Sequence, residues 1–289
     1  MPDFTFGFIF ILLYIVSTVI GKLIRIKVER LFFIVVVSII FTISLWGASI
    51  IGNTFLFTNI ILLSFVFAIA TLFITYLIGN LLSTKIYLDK SYVKFDRSSL
   101  YFITVLVLGW LIGFVFDLNL PFDIIVSYEL YFLAVLVGLL TGSEISIELI
   151  KKSGKNSMLT ILTSILGSII AGLLCSFIFN INLKISFVIA MGMGWYSFAG
   201  PIVAYYSSPY FGIIAFLSNF LREQLTIILV PFIKGSNVSL ISLGGATTMD
   251  DTLPIYVAKL GKQYSMVSIM NGLGLTIIVA IILPLIFYF

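Results

Sequence analysis

The sequence predicts an all-α polytopic membrane protein, and three observations carry that prediction. Of the 289 residues, 61% are hydrophobic and only 10% charged, whereas a soluble domain is about a quarter charged. The apolar residues come in continuous runs long enough to cross ~30 Å of hydrocarbon as helices, without the alternation of an outer-membrane barrel. The basic residues gather in alternate connectors, as the positive-inside rule requires of a multi-spanning chain.

Reading apolar runs against their polar punctuation predicts ten helices, at 4–20, 31–51, 57–79, 100–116, 124–140, 158–179, 185–206, 209–233, 240–260 and 265–289. Nothing basic precedes the first run, and Lys22, Arg25, Lys27 and Arg30 follow it. That order reads as an uncleaved first helix with its N-terminus outside. Four more basic residues fall in 80–99, three in 141–157, and Lys259 with Lys262 near the last connector. Thirteen of the sixteen then share one face, while Lys184 and Lys234 lie opposite and Arg222 sits inside a span. Ten crossings with both termini outside the plasma membrane fit this pattern. The run 240–260 reads equally as a crossing or as a re-entrant pair.

Five helices per half, repeated in tandem, must invert, so the expectation is a 5+5 inverted repeat with a broken helix near 244–254. The halves are 1–140 and 158–289, joined by a cytoplasmic connector at 141–157. That connector, "TGSEISIELIKKSGKNS", reads as an interfacial helix followed by a turn.

Histidine is absent and Cys175 is the lone cysteine. The commonest general base and a zinc site are thereby removed, so neither an enzyme nor a cofactor is expected. The net charge of +4 is topological in meaning and does not suggest nucleic acid.

Three stretches carry chemistry. In 212–234, Asn219, Arg222, Glu223 and Thr226 fall at i, i+3, i+4 and i+7, one stripe of a helix. A charge near the bilayer centre costs roughly 2.5–3.5 kcal/mol on insertion scales, which favours a substrate or proton role over simple helix gluing. In "SLGGATTMDDTLPIY", Gly244 and Gly245 invite unwinding, Pro254 lacks a backbone donor, and Thr247, Thr248, Asp250 and Thr252 suit helix caps. Such a break is tolerated at membrane depth where it lines a cavity or is buried in protein. In "MGMGWYSFAGP", Gly192, Gly194 and Gly200 allow close packing or a kink, with Pro201 ending the regular turn. Trp195, Tyr196 and Ser197 there offer an aromatic wall and hydroxyls, so cavity lining and plain packing stay equally open.

"GMGWYSFAGP", "REQLTIILVP" and "GGATTMDDTLP" resemble, in order and spacing, the signature segments of the lysine exporter LysO family of bacteria and archaea. The resemblance is strong over 186–260 and extends from roughly 130 to the C-terminus. It implies export of L-lysine from the cytoplasm against inward ion movement, with Glu223 and Asp250 as the intramembrane acids. Two positions depart from that pattern: Asn219 stands where an acid is frequent, and Asp251 is an additional acid.

The resulting expectation is secondary active export of L-lysine or a similar cationic amino acid. Glu223 and Asp250 supply anions, backbone groups of 246–252 receive the carboxylate, and Arg222 holds Glu223 or binds that carboxylate. Removing the cation leaves buried unpaired charge, which protonation relieves, so proton and lysine compete for the same acids. A sodium ion near Asp250 is the alternative coupling ion. Rival readings are a sodium/proton exchanger or cation channel using the same acids, and a homodimer is the assembly this reading admits.

Overall fold

The structure, a computed structural model, describes residues 4–24, 28–50, 54–83, 86–87, 98–116, 118, 120–144 and 147–288. It is all-helical apart from two short strands. The helices are α1 (Phe4–Ile24), α2 (Glu29–Ile50), α3 (Thr54–Leu82), α4 (Ser98–Phe116), α5 (Phe122–Glu144), α6 (Ile147–Phe179), α7 (Leu183–Ala190), α8 (Tyr196–Tyr206), α9 (Pro209–Leu229), α10 (Asn237–Gly244), α11 (Leu253–Leu260) and α12 (Ser265–Ile286). Strand β1 is Ile86–Tyr87 and β2 is Gly235–Ser236.

Seven of these helices, α1, α2, α3, α5, α6, α9 and α12, contain apolar stretches long enough to cross a membrane. In α4 the apolar stretch is the shorter Tyr101–Phe116. Side chains such as Leu81 (85% exposed) and Phe177 (91% exposed) project outward from the spans, which suits lipid rather than water as the surrounding solvent. The chain is a polytopic membrane protein. Within α6 the backbone breaks at Gly154 (φ 56°, ψ −153°), separating its opening segment from the apolar stretch Gly154–Phe179.

Small residues let these helices approach closely. Parallel α1 and α5 meet where Gly138 and Gly142 face the carbonyls of Tyr14 and Thr18. Parallel α2 and α4 meet where Gly109 and Gly113 face those of Phe41 and Leu45. The main core runs through Phe10, Ile39, Val126, Phe198, Ile214 and Leu275, and a second, around α10 and α11, holds Leu72, Val230, Leu240 and Tyr256.

Two sets of contacts fix which helix ends lie together. Strand β1 pairs antiparallel with β2, Tyr76 donates its hydroxyl to Lys234 O (2.5 Å), and Ser236 N–H donates to Asn80 Oδ1 (2.8 Å). The ends of α3 and α9 therefore share a face, here the basic face. Opposite, the Tyr206 and Tyr288 hydroxyls lie 2.6 Å apart and Gly7 N–H donates to Tyr288 Oη (3.0 Å). The end of α8, the start of α1 and the end of α12 thus share the second, terminal face.

This geometry corrects the expected ten crossings. From the terminal face, α1 to α6 cross in turn and return the chain to that face. Segment 185–206 then cannot be a crossing: α7 dips inward, the chain turns at 191–195, and α8 comes back. Pro201 does not end a turn, since it lies inside α8; the helix is broken earlier, at Gly192 and Gly194. Helix α9 crosses to the basic face, and 240–260 takes its re-entrant form as α10 and α11 dip in and out from that side. Among the described residues eight helices, the seven long apolar ones and the shorter α4, thus run from one face to the other, and two hairpins enter from opposite faces.

The 5+5 inverted repeat does not appear either. The third segments of inverted halves must run oppositely, but α3 and α9 run together. Ser64 meets Ile214 O near the start of α9, and Tyr76, further along α3, meets Lys234 O just past the end of α9. A shorter antiparallel pair appears instead: hairpin α7–α8 followed by α9, and hairpin α10–α11 followed by α12.

Candidate functional site

The tips of the two hairpins meet inside the protein. The first tip is 191–195, where Met193 (φ 49°) and Gly194 (φ 88°) adopt left-handed backbone and Trp195 N–H donates to Gly192 O (2.8 Å). The second begins where α10, N-capped by Ser236, stops at Gly244. Gly245 (φ 63°) turns the chain into a short 3₁₀ segment, Gly245–Met249, and α11 follows with Pro254 in its first turn. Ala246 N–H donates to Met193 O (2.8 Å), joining the tips. A Cβ on Gly245 would run into that same Met193 carbonyl, so glycine is required by both backbone angle and space.

Each tip is tied down by an asparagine from the crossing helix that follows it. Asn219 of α9 accepts from Gly194 N–H (2.8 Å) and donates through Nδ2 to Ile189 O and Ala215 O (both 2.9 Å). Asn271 of α12 donates to Gly245 O and to Thr248 Oγ1 (both 3.0 Å). Thr248 also meets Gly245 O (2.9 Å) and Ser268 O (2.8 Å), which ties the second tip to α12.

Arg222 stops the broken helix electrostatically. Ending α10 in protein leaves carbonyls without helical partners. The guanidinium, 1% exposed, donates to Leu243 O (3.0 Å), Ser242 O (3.1 Å) and Ser168 Oγ (3.2 Å). A cation at a helix C-terminus also suits the negative end of the helix dipole. None of these three bonds goes to Glu223. Thr226, for its part, spends its hydroxyl on Arg222 O of its own helix (2.8 Å).

The remaining candidates except Glu223 line a cavity of about 380 Å³ beside the tips. Trp195, Tyr196 and Ser197 come from the first tip, and Ala246, Thr247, Asp250 and Asp251 from the second. Across from them stand Glu29, Phe32, Phe33 and Val36 of α2, Phe102 of α4, Val137, Leu140 and Thr141 of α5, and Leu273 and Thr276 of α12. Glu29, Asp250 and Asp251 are exposed, and the α5 residues lie near that helix's basic-face end, so the cavity opens on the basic face. Glu223 is only 1% exposed and accepts from Gln224 Nε2 (3.0 Å). It is not among the lining residues. Tyr196 lines the cavity and packs its ring edge-on against Phe216 and Phe220 of α9, the helix that carries Glu223 (centroids 5.4 Å each).

The thirteen residues singled out from sequence therefore divide. Trp195, Tyr196, Ser197, Thr247, Asp250 and Asp251 face the cavity. Asn219, Arg222, Thr226, Thr248, Gly244 and Gly245 build or brace the tips, and Glu223 is buried on α9. Sequence reasoning missed Asn271, Thr276 and Glu29. An amide in the otherwise apolar "VSIMNGLGL" was a usable signal for the first; Glu29 was hidden among connector charges. A further intramembrane acid, Glu129 of α5, accepts from Ser38 (2.5 Å) and Thr42 (3.0 Å) of α2, outside the cavity. Among the described residues no group of three or more His, Cys, Asp or Glu is placed to hold a metal ion.

Residues 103–287, more than half of the chain, match the family described as lysine exporter LysO. The chain belongs to the lysine exporter LysO family. It is 30% identical over 159 residues to the lysine exporter LysO of Escherichia coli (strain K12), covering 54% of this chain and 53% of that protein. Over 109 residues it is 30% identical to a putative lysine exporter of Haemophilus influenzae, covering 37% of this chain and 56% of that one. The chain thus spans about half the length of the curated relatives it matches. No solved structure matches it. The LysO-family segment begins in α4 and contains both hairpins, Arg222, Glu223 and the aspartates. The α2 wall of the cavity lies outside it.

Proposed function

We propose that this LysO-family chain exports L-lysine, or a similar cationic amino acid, from the cytoplasm in exchange for protons or sodium ions. One observation carries the reading: Asp250 and Asp251 stand in a cavity at the meeting point of two opposed broken hairpins. Backbone of this kind is tolerated at membrane depth where it is buried or lines a cavity, and such breaks are where transporters bind substrate and ion. The names of the relatives, lysine exporter and putative lysine exporter, support the substrate.

The basic face is the cytoplasmic one in this reading. Its connectors and helix ends gain Lys234 over the sequence-based count, leaving Lys184 alone opposite and Arg222 inside. Both termini are then outside, and the cavity is open to the compartment from which an exporter loads. Phe6 packs on Tyr205 (centroids 4.3 Å) and Tyr206 stacks on Phe287 (4.7 Å) at the terminal face, and deeper, beside the first tip, Phe10 stacks on Phe198 (4.9 Å). This aromatic layer closes the exit.

Lysine carries two ammonium groups and one carboxylate. Asp250 and Asp251 meet ammonium, Thr247 and Ser197 offer hydroxyls, and Trp195 and Tyr196 supply aromatic rings beside the cation. When the cation leaves, a proton or sodium ion neutralises the vacated aspartate, and Tyr196 links that event to Glu223. The hairpin-bearing part, 158–289 with α3 packed into it, rocks against α1, α2, α4 and α5 to turn the cavity outward. Arg222 acts through the shape of the second tip.

Uptake of lysine into proteoliposomes under an imposed pH or sodium gradient tests the reading. Glu223→Gln and Asp250→Asn should each abolish gradient-driven uptake. Wild-type rates in both variants would sink it. Lysine flux that saturates and is stimulated by lysine on the far side separates this reading from a channel or a sodium/proton exchanger.

A further inference from the structure

Helix α2 contributes Glu29, Phe32, Phe33 and Val36 to the cavity, at i, i+3, i+4 and i+7. They form one stripe along the helix, leading inward from its basic-face end. An exposed carboxylate stands at the mouth, and three apolar side chains continue the wall behind it. Among the described residues no hydrogen bond or ion pair engages that carboxylate. At the deep end, eleven residues into α12, Thr276 lines the same cavity at 2% exposure, and its hydroxyl has no hydrogen-bond partner. A buried hydroxyl without a hydrogen-bond partner at one end and an exposed carboxylate at the other suit a ligand that is polar at both ends and apolar between.

We propose that Glu29 is a specificity-determining residue, which binds the side-chain ammonium of the transported amino acid at the cavity mouth. The methylene chain then lies along Phe32, Phe33 and Val36. The α-amino group meets Asp250, which also borders the opening, and the α-carboxylate reaches inward toward the buried Thr247 and Thr276. This rests on the export reading above and deepens it. Recognition of the head group belongs to the LysO-family segment, whereas selection for a second positive charge comes from α2, outside that segment. The stripe measures side-chain length as well as charge, because one carboxylate at a fixed place suits one chain length.

The test is competition for lysine uptake into proteoliposomes holding the full chain, with norleucine, ornithine and homolysine as probes. Norleucine has the same chain length as lysine without its terminal ammonium. Wild type should strongly prefer lysine to norleucine, and Glu29→Gln should cut that preference about tenfold or more, the worth of one charge-assisted hydrogen bond. Glu29→Asp keeps the charge, should restore the preference for a cation, and should shift the optimum toward homolysine because the arm is one methylene shorter. Should Glu29 merely favour the α2 dipole, thermal stability changes while the lysine-to-norleucine ratio stays at its wild-type value in both variants. That result overturns the inference. If Asp250→Asn abolishes uptake in the same assay, the export reading survives the loss of this one. Absence of lysine uptake by wild type overturns both.

Discussion

Asn219 and Arg222 sit one helical turn apart on α9, and each spends its polar groups on a hairpin tip rather than on open space. Arg222 reaches two consecutive carbonyls at the end of α10 because a guanidinium is a rigid fork. A lysine ammonium in its place serves one carbonyl well and leaves the other short of a donor, at about 1–3 kcal/mol for a buried group. Arg222→Lys should therefore lower the melting temperature of detergent-solubilised protein by several degrees. Asp250→Asn, at an exposed position, should leave it near the wild-type value. A stable Arg222→Lys protein that binds lysine poorly would make Arg222 a ligand after all. Asn219→Asp is the companion case: both amide donor bonds vanish and a carboxylate is left facing Ile189 O and Ala215 O. It should also lower the melting temperature, even though an acid is the expected family residue there. Periodicity placed these residues on one stripe correctly. Their partners lie on α7, α10 and α6, and no spacing within α9 encodes that.

At the scale of elements, the two hairpins show what hydropathy reads and what it does not. The second was legible because two glycines, a run of threonines and aspartates, and Pro254 interrupt an apolar run within a few residues. The first has only Gly192 and Gly194 at its turn, between two apolar stretches. A helix buried among other helices and a helix facing lipid are both apolar, so composition made 185–206 look like a crossing. What distinguishes them is that α7 and α8 are short and that their tip finds a partner, Ala246 N–H on Met193 O. Gly245→Ala tests that contact directly. Its backbone (φ 63°) is strained for alanine by about 1–3 kcal/mol, and the added methyl meets the Met193 carbonyl, so the tips must part. Lysine transport should be lost while the eight crossings still insert, as read by proteoliposome flux and by protease protection of the connectors. Full transport in Gly245→Ala would mean that the tips need not touch.

For the whole molecule, the decisive question is which connectors share a face. Ten crossings put Ser207 on the same side as Lys262 and put Lys234 opposite them. Eight crossings with two re-entrant hairpins exchange those places: Ser207 follows the end of α8 on the terminal face, while Lys234 and Lys262 lie on the basic face. The charge count agrees with the second arrangement, since it strands only Lys184 among positive connector residues. All three positions are exposed, and the native Cys175 is buried at 1%, so single cysteines there report with little background. A membrane-impermeant thiol reagent added to intact cells should label Ser207→Cys at once. Lys234→Cys and Lys262→Cys should label only after the membrane is permeabilised. Labelling of Lys234→Cys from outside, with Ser207→Cys protected, would restore the ten-crossing path. It would also break the parity that brings two hairpins from opposite faces to one cavity, and with it the argument that Asp250 loads its cation from the cytoplasm.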